Sequence, residues 1–335
     1  MEEIKIENLK DDTFDYKKHI VNKKELNNYI DKFHKGEIKK GYGLGIDWID
    51  KYFVAKEYEF YAVVGKKGDG KTTIQQVMFL LWSIVNGLHW VVCFKENMNW
   101  SVKVNLLTTL LGKRESYVAK ENPLLYQKAS DWIDKHFTFL EIDSLEEGLK
   151  VGEAMIEDNI NVHAIVFDPA NSFDYGFSET GNEFTDGKKS AKELLRYSKK
   201  ISSVHISQHP TMSGQRKEGD VTSAEAEGGW FFNKASFTYN INRTRGTSEN
   251  RIQIENVRNK LTGGGETHPE EPLIVHWSPS KIDFTCGYDS INDIVYYLRK
   301  KHNPLNEVFE LQENKEHLPT MAVSDAFGTD EEVPF

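Results

Sequence analysis

The run Gly65-Lys66-Lys67-Gly68-Asp69-Gly70-Lys71-Thr72, followed by Thr73, has the residue types and spacing that grip a phosphate chain. Glycines let backbone N–H groups turn inward around anionic oxygens, the lysine adds a cation, and the hydroxyl after it can ligate Mg²⁺. On this reading Lys71 reaches the β- and γ-phosphates of a nucleotide and Thr72 joins the metal shell. The apolar run EFYAVV leads in and TTIQQVMFLLW leads out. The loop therefore opens a helix, whose N-terminus adds a favourable dipole. A glycine-rich turn before an unrelated helix is the alternative, and the register of strand, loop and helix argues against it.

Three more apolar runs end in polar groups. Asp168 closes HAIVFD, Glu96 follows HWVVCFK, and Gln208 and His209 close SVHISQH. A carboxylate at Asp168 can hold the magnesium shell through water; it could otherwise cap the next turn. Glu96 can orient and deprotonate an attacking water, or be a surface acid beside Lys95. A polar group at Gln208 or His209 can sense a γ-phosphate, although His209 before Pro210 could equally be a hydrogen-bonded turn residue.

Such groups meet only if a scaffold brings strand tips together. Apolar runs predict strands at Glu59–Val64, Trp90–Phe94, Phe137–Ile142, Ala164–Phe167, Ser203–Ser207, Ala235–Ile241, Arg251–Asn256 and Leu273–His276. Amphipathic stretches predict helices over Thr72–Asn86, Trp100–Leu111, Ser144–Asp158, Lys188–Lys199 and Ile291–Lys301. Strands separated by helices imply a mostly parallel sheet covered on both faces, and tips on one edge of such a sheet converge on a ligand crevice. The closer spacing of the late strands predicts an antiparallel extension. Ahead of this body, Leu26, Ile30 and Phe33 fall at i, i+4 and i+7, a single apolar stripe on a helix over about 23–35. The expected division is an N-terminal segment with that helix (1–40), one α/β domain (41–302) and a disordered polar acidic tail (303–335).

The bulk numbers agree with a soluble α/β protein. The apolar fraction is 39% and the charged fraction 28%, and no apolar run reaches the roughly 18 residues of a membrane helix. Two cysteines, Cys93 and Cys286, show no metal-ligand spacing, and Cys93 in WVVCF reads as core in a reducing, cytoplasmic setting. A net charge of −10 argues against a broad basic nucleic-acid face, while a narrow basic channel stays open. Half of that excess, −5, sits from Glu313 onward.

Taken in order, GLGIDWIDKYF, GKKGDGKTT, FKEN, IVFDPANSF, SQHP, EGGWFFNKASFTYNINR and ENVRNKLTGGGE resemble the superfamily-four replicative helicases. The likeness is to the DnaB-type group, above all its Twinkle-like phage branch, over roughly 41–276. The resemblance implies a RecA-like P-loop NTPase that uses ATP and Mg²⁺, assembles as a homo-oligomer, expected as a hexamer, and passes single-stranded DNA through its centre. It implies that Glu96 is the catalytic glutamate, Asp168 the Walker B acid and His209 the sensor, with Gln208 the second candidate. Arg258 in NVRNK is similar to the arginine finger that completes a neighbour's site; without the resemblance it reads as an exposed hairpin charge. Relatives usually carry lysine where Asn256 stands, and Lys260 is the candidate substitute. No primase-like segment is recognised before residue 40, so the chain reads as a motor alone, in the host cytoplasm if phage-encoded.

Two segments fit DNA-gripping loops. The first, Phe173–Lys189, offers Lys188 and Lys189 for phosphates and Phe173, Tyr175 or Phe177 for stacking. The second, Thr211–Glu227, holds Arg216 and Lys217. Solvated connections are the plainer reading of both. The chain ends DEEVPF, whose Phe335 could seat a replisome partner or belong to a merely solubilising tail. The expectation is thus an ATP-driven ring helicase. The alternatives are a filament-forming RecA-like recombinase and an ATP-gated loader or regulatory ATPase.

Overall fold

The structure, a computed structural model, describes residues 20, 22–37, 41–176, 181–245, 247, 249–258, 272–276 and 291–306. Contacts divide the chain into two compact units, Met1–Lys40 and Gly41–Phe335. In the first, α1 (Lys23–His34) starts where the Asn22 side chain accepts from the Lys24 N–H at 2.9 Å, an N-cap that satisfies an otherwise orphaned donor.

The second unit is built on eight strands: β1 (Phe60–Val64), β2 (Trp90–Phe94), β3 (Phe137–Phe139), β4 (Ala164–Asp168), β5 (Ser203–Gln208), β6 (Phe237–Arg243), β7 (Glu249–Val257) and β8 (Leu273–His276). They lie in the order β3-β2-β4-β5-β1-β6-β7-β8. The first six run parallel, and β7 and β8 are added antiparallel. β1, β2, β4 and β5 are buried at every position, as expected of parallel strands covered on both faces, whereas β7 buries roughly alternate residues.

Side chains of β1 alternate between two cores. Tyr61 and Val63 face one that includes α2 (Asp47–Asp50), α3 (Lys71–Asn86), α4 (Asn99–Leu111), α5 (Glu115–Glu121), α6 (Pro123–His136) and α11 (Ile291–His302). Phe60, Ala62 and Val64 face the other, which includes α7 (Leu145–Glu157), α8 (Glu183–Lys200) and α10 (Gly229–Phe232). On that second face α7 approaches closely because a Cβ on Gly152 would fall 2.3 Å from Ile165 Cδ1. Cys93 is buried, and burial pushes its thiol up and out of reactive range.

Three differences from the sequence reading have local causes. Phe137–Ile142 stops being strand at Phe139, where an edge strand has only β2 beside it. A helix absent from the reading, α6, is set by Asn122, whose side chain accepts from Leu125 N–H, and by Pro123 at the first turn. α8 starts five residues before Lys188, capped by Asn182 with Glu183 and Asp186 in its first turn. Within segment 173–189 the helix therefore takes up residues 183–189.

A phosphate-loop site at the strand tips

Parallel register brings four strand ends level. Phe94 pairs with Asp168, and Val64 with Gln208. The residues that follow, Gly65, Lys95 and Glu96, Pro169, and His209, are thereby crowded along one edge of the sheet. The Lys95 N–H donating to the Asp168 carbonyl at 3.0 Å extends the ladder past β2.

The loop between β1 and α3 is shaped by its glycines. A Cβ on Gly65 would fall 2.3 Å from the Ile241 carbonyl oxygen and 2.9 Å from Lys71 Cγ, so no other residue fits. Gly68 and Gly70 have φ of 88° and 84°, a left-handed backbone that side chains disfavour. The Asn250 side-chain amide of β7 donates to the Asp69 carbonyl at 2.6 Å and braces the loop from outside.

Within this edge Lys71, only 5% exposed, donates to His209 Nδ1 at 3.2 Å. His209 Nε2 lies 3.2 Å from Glu96 Oε1. An ammonium donating to Nδ1 leaves the proton of a neutral imidazole on Nε2, where it serves the carboxylate. Burial lowers the Lys71 pKa, and the carboxylates of Asp168, Asp69 and Glu96 oppose that shift. Beside this line the Thr72 hydroxyl donates to Asp168 Oδ2 at 2.5 Å, and the Ser207 hydroxyl donates to Asp168 Oδ1.

The donor set fits a magnesium-bound triphosphate. It comprises a glycine cradle that a Cβ would fill, a buried ammonium and a hydroxyl–carboxylate pair. Among the described residues no group of three or more His, Cys, Asp or Glu could hold a metal by itself.

The remaining expected site residues are placed variously. Gln208 is wholly buried, and neither amide atom has a hydrogen-bond partner among the described residues. Lys67 is exposed, and its N–H reaches Gln215 Oε1 at 3.4 Å. Thr73 lies in the first turn of α3. Arg258 follows β7 at the end where β7 pairs with the start of β6, since Phe237 lies opposite Val257. β6 runs parallel to β1, so Arg258 sits at the opposite end of the sheet from its own phosphate loop. Its guanidinium donates to the Asn233 carbonyl at 2.6 Å.

The aromatic residues expected to stack on bases need correcting. Phe173 is 5% exposed and packs edge-on against Phe167; Tyr175 is half-buried against Phe231. Both are held by core contacts. Lys188 lies on α8 with its ammonium 3.7 Å from the Phe184 ring centre, and Lys189 is beside it on that helix. Arg216 ends α9 (Met212–Arg216) and is exposed. Lys217 pairs with Glu225 at 2.6 Å and holds that carboxyl down at about 2. Phe177, Lys260, Cys286 and Phe335 lie outside the described residues.

Sequence reasoning missed Ser207, Asn250 and the partners of Lys66. Ser207 was legible, one residue before Gln208 on an apolar run. Asn250 carried no signal, because its link to Asp69 spans 181 positions.

No family model matches the sequence, and no curated protein matches it. Solved structures do match. The ATPase domain of a helicase superposes with a TM-score of 0.55 at 9% identity, over 73% of this chain and 98% of that one. A DnaB-like replicative helicase, in a structure concerned with its interactions with primase, gives 0.55 at 11% identity, over 75% of this chain and 63% of that one. The RadB recombinase gives 0.45 at 14%, over 71% and 96%. No described helix is long and apolar enough to cross a membrane. The chain therefore has a RecA-like α/β fold, which it shares with these two ATPase-bearing structures.

Proposed function

We propose that the chain is an ATP-hydrolysing motor that assembles as a ring, most simply a hexamer, translocates on single-stranded DNA and unwinds duplex. The observation that carries the reading is the line Lys71–His209–Glu96 beside the Thr72–Asp168 pair, all at the tips of adjacent parallel strands. In this reading Lys71 and the N–H groups of residues 65–73 hold the phosphate chain, while Thr72 and Asp168 hold Mg²⁺. The ion, when bound, neutralises charge that builds on phosphate oxygens. Glu96 orients the attacking water and takes its proton at a carboxylate oxygen. His209 touches both the phosphate-binding lysine and the general base, which suits a sensor of the γ-phosphate better than the buried amide of Gln208.

Arg258 cannot serve its own phosphate site from the far end of β6. A role in stabilising transition-state charge therefore requires a neighbouring copy, and a ring supplies one. DNA contact by Arg216, Lys217, Lys188 and Lys189 follows from the same reading. The test is a forked-duplex unwinding assay with ATP and Mg²⁺, alongside electron microscopy of the particles. Ring particles and strand separation support the motor. Filaments on DNA would favour a recombinase, and nucleotide-dependent partner binding without unwinding a regulatory ATPase.

A further inference from the structure

Lys66 belongs to the phosphate loop by sequence, yet its ammonium is engaged elsewhere. Nζ donates to the carbonyl of Lys217 at 2.5 Å and to that of Gly219 at 2.8 Å. These belong to the segment that follows His209 and carries Arg216 and Lys217. One residue on, the Lys67 N–H reaches Gln215 Oε1 at 3.4 Å. Residues 215–219 thus rest on the phosphate loop itself.

The two halves of that segment are held differently. From Asp220 onward the anchors are sheet side chains. Arg251 of β7 pairs with Asp220. Asn242 of β6 accepts from the Val221 N–H at 2.8 Å and donates to the Val221 carbonyl at 3.0 Å. Glu255 of β7 accepts from the Ser223 N–H at 2.9 Å. Those side chains sit on strands whose positions are set by the ladder. Before Asp220 the holds are the phosphate loop, through Lys66 and Lys67, and Glu225, whose carboxylate pairs with Lys217 at 2.6 Å and whose carbonyl accepts from the Thr211 N–H at 2.8 Å. At the junction stands Gly219, left-handed at φ 83° with open space around its Cβ position, a backbone suited to swing.

We infer that Lys66 is a nucleotide-released latch: its ammonium clamps residues 217–219, and a triphosphate in the phosphate loop draws it away and frees them. Hydrogen bonds from an ammonium to phosphate oxygens are charge-assisted at both ends, and those to the two carbonyls at the donor alone, so a triphosphate competes with the carbonyls for Lys66. Release leaves residues 215–219 held by the Lys217–Glu225 pair and the Thr211 bond to Glu225, hinged at Gly219, and loosens Arg216 and Lys217 with them. Lys66 is then a positioning residue that makes the presentation of two cations depend on the nucleotide. The inference rests on the phosphate-site reading above.

Backbone hydrogen exchange of the full chain, followed in peptides spanning residues 212–220, tests it in two separable arms. Without nucleotide, Lys66→Met should raise exchange there by about tenfold over the native chain, while Lys66→Arg, which keeps a cation, should stay protected. Equal exchange in native and Lys66→Met chains overturns the latch, whatever the phosphate loop binds. In the second arm a non-hydrolysable ATP analogue with Mg²⁺ should raise exchange of the native segment by a similar factor and leave Lys66→Met unchanged. Bound analogue with the segment still protected overturns the release. If a fluorescent form of the analogue fails to bind the native chain, the phosphate-site reading falls and the release with it, while the first arm still judges the clamp.

Discussion

In the proposed motor each residue at the strand tips takes a separable task, so single substitutions should fail in different ways. Lys71→Ala removes the buried ammonium facing Asp168, Asp69 and Glu96. Losing a charge-assisted phosphate contact should weaken nucleotide binding by about tenfold to a hundredfold in a fluorescent-nucleotide titration. Unchanged affinity would refute the phosphate assignment. Glu96→Gln keeps the shape but not the base, so the variant should bind nucleotide normally and hydrolyse it about 10² to 10⁴ times more slowly in a phosphate-release assay. The P-loop and its lysine were legible in sequence because the motif is local. The His209 bridge between Lys71 and Glu96 was not, because it joins residues 113 and 138 positions apart.

At the scale of elements, the β6–β7 hairpin fixes where Arg258 can act. The seven residues of β6 at about 3.3 Å each put the guanidinium roughly 20 Å from the phosphate loop of its own chain. Arg258→Ala and Lys71→Ala chains, each inactive alone, should regain part of the hydrolysis rate when mixed, since a native Lys71 pocket can then meet a native Arg258. No rescue in demonstrated mixed assemblies would rule out a shared site. Packing makes a second prediction. A Cβ on Gly152 would meet Ile165 Cδ1 at 2.3 Å and the Tyr197 hydroxyl at 2.4 Å. Gly152→Val should therefore cost about 1–3 kcal/mol in a urea titration, by prising α7 from β4. Helices over Thr72–Asn86 and Ser144–Asp158 were readable from amphipathic spacing to within a residue, whereas the first turn of α8 was hidden by its polar composition.

For the whole molecule the buried histidines set the acid limit. His205 lies fully buried between the Tyr61 ring, stacked at 4.1 Å, and the Phe79 and Trp90 edges, and burial keeps it neutral. Burial also lowers His163 to about 3. Unfolded, both would take up a proton near pH 6.5. Below that pH the unfolded chain binds more protons than the folded one, so stability is fully present above about 6.5 and lost as pH falls toward the folded values. Each imidazole should contribute a slope of about 1.4 kcal/mol per pH unit. Urea midpoints at pH 7.5, 6.5 and 5.5 would measure it, and His205→Phe should flatten the slope. An unchanged slope in that variant would mean that His205 is not excluded from water in the way the packing implies.

Local chemistry determined the phosphate loop, the strand-ending Asp168 and the alternation of strand and helix, because a turn, a cap or a periodicity is written within a few residues. The tertiary structure alone decided the strand order that sets four tips level and the opposite ends taken by Lys71 and Arg258. It alone also decided the burial of Phe173 in the core and the diversion of Lys66 to the 217–219 carbonyls. Those facts depend on which distant segments pack together, and the free energy that selects the packing belongs to the whole core.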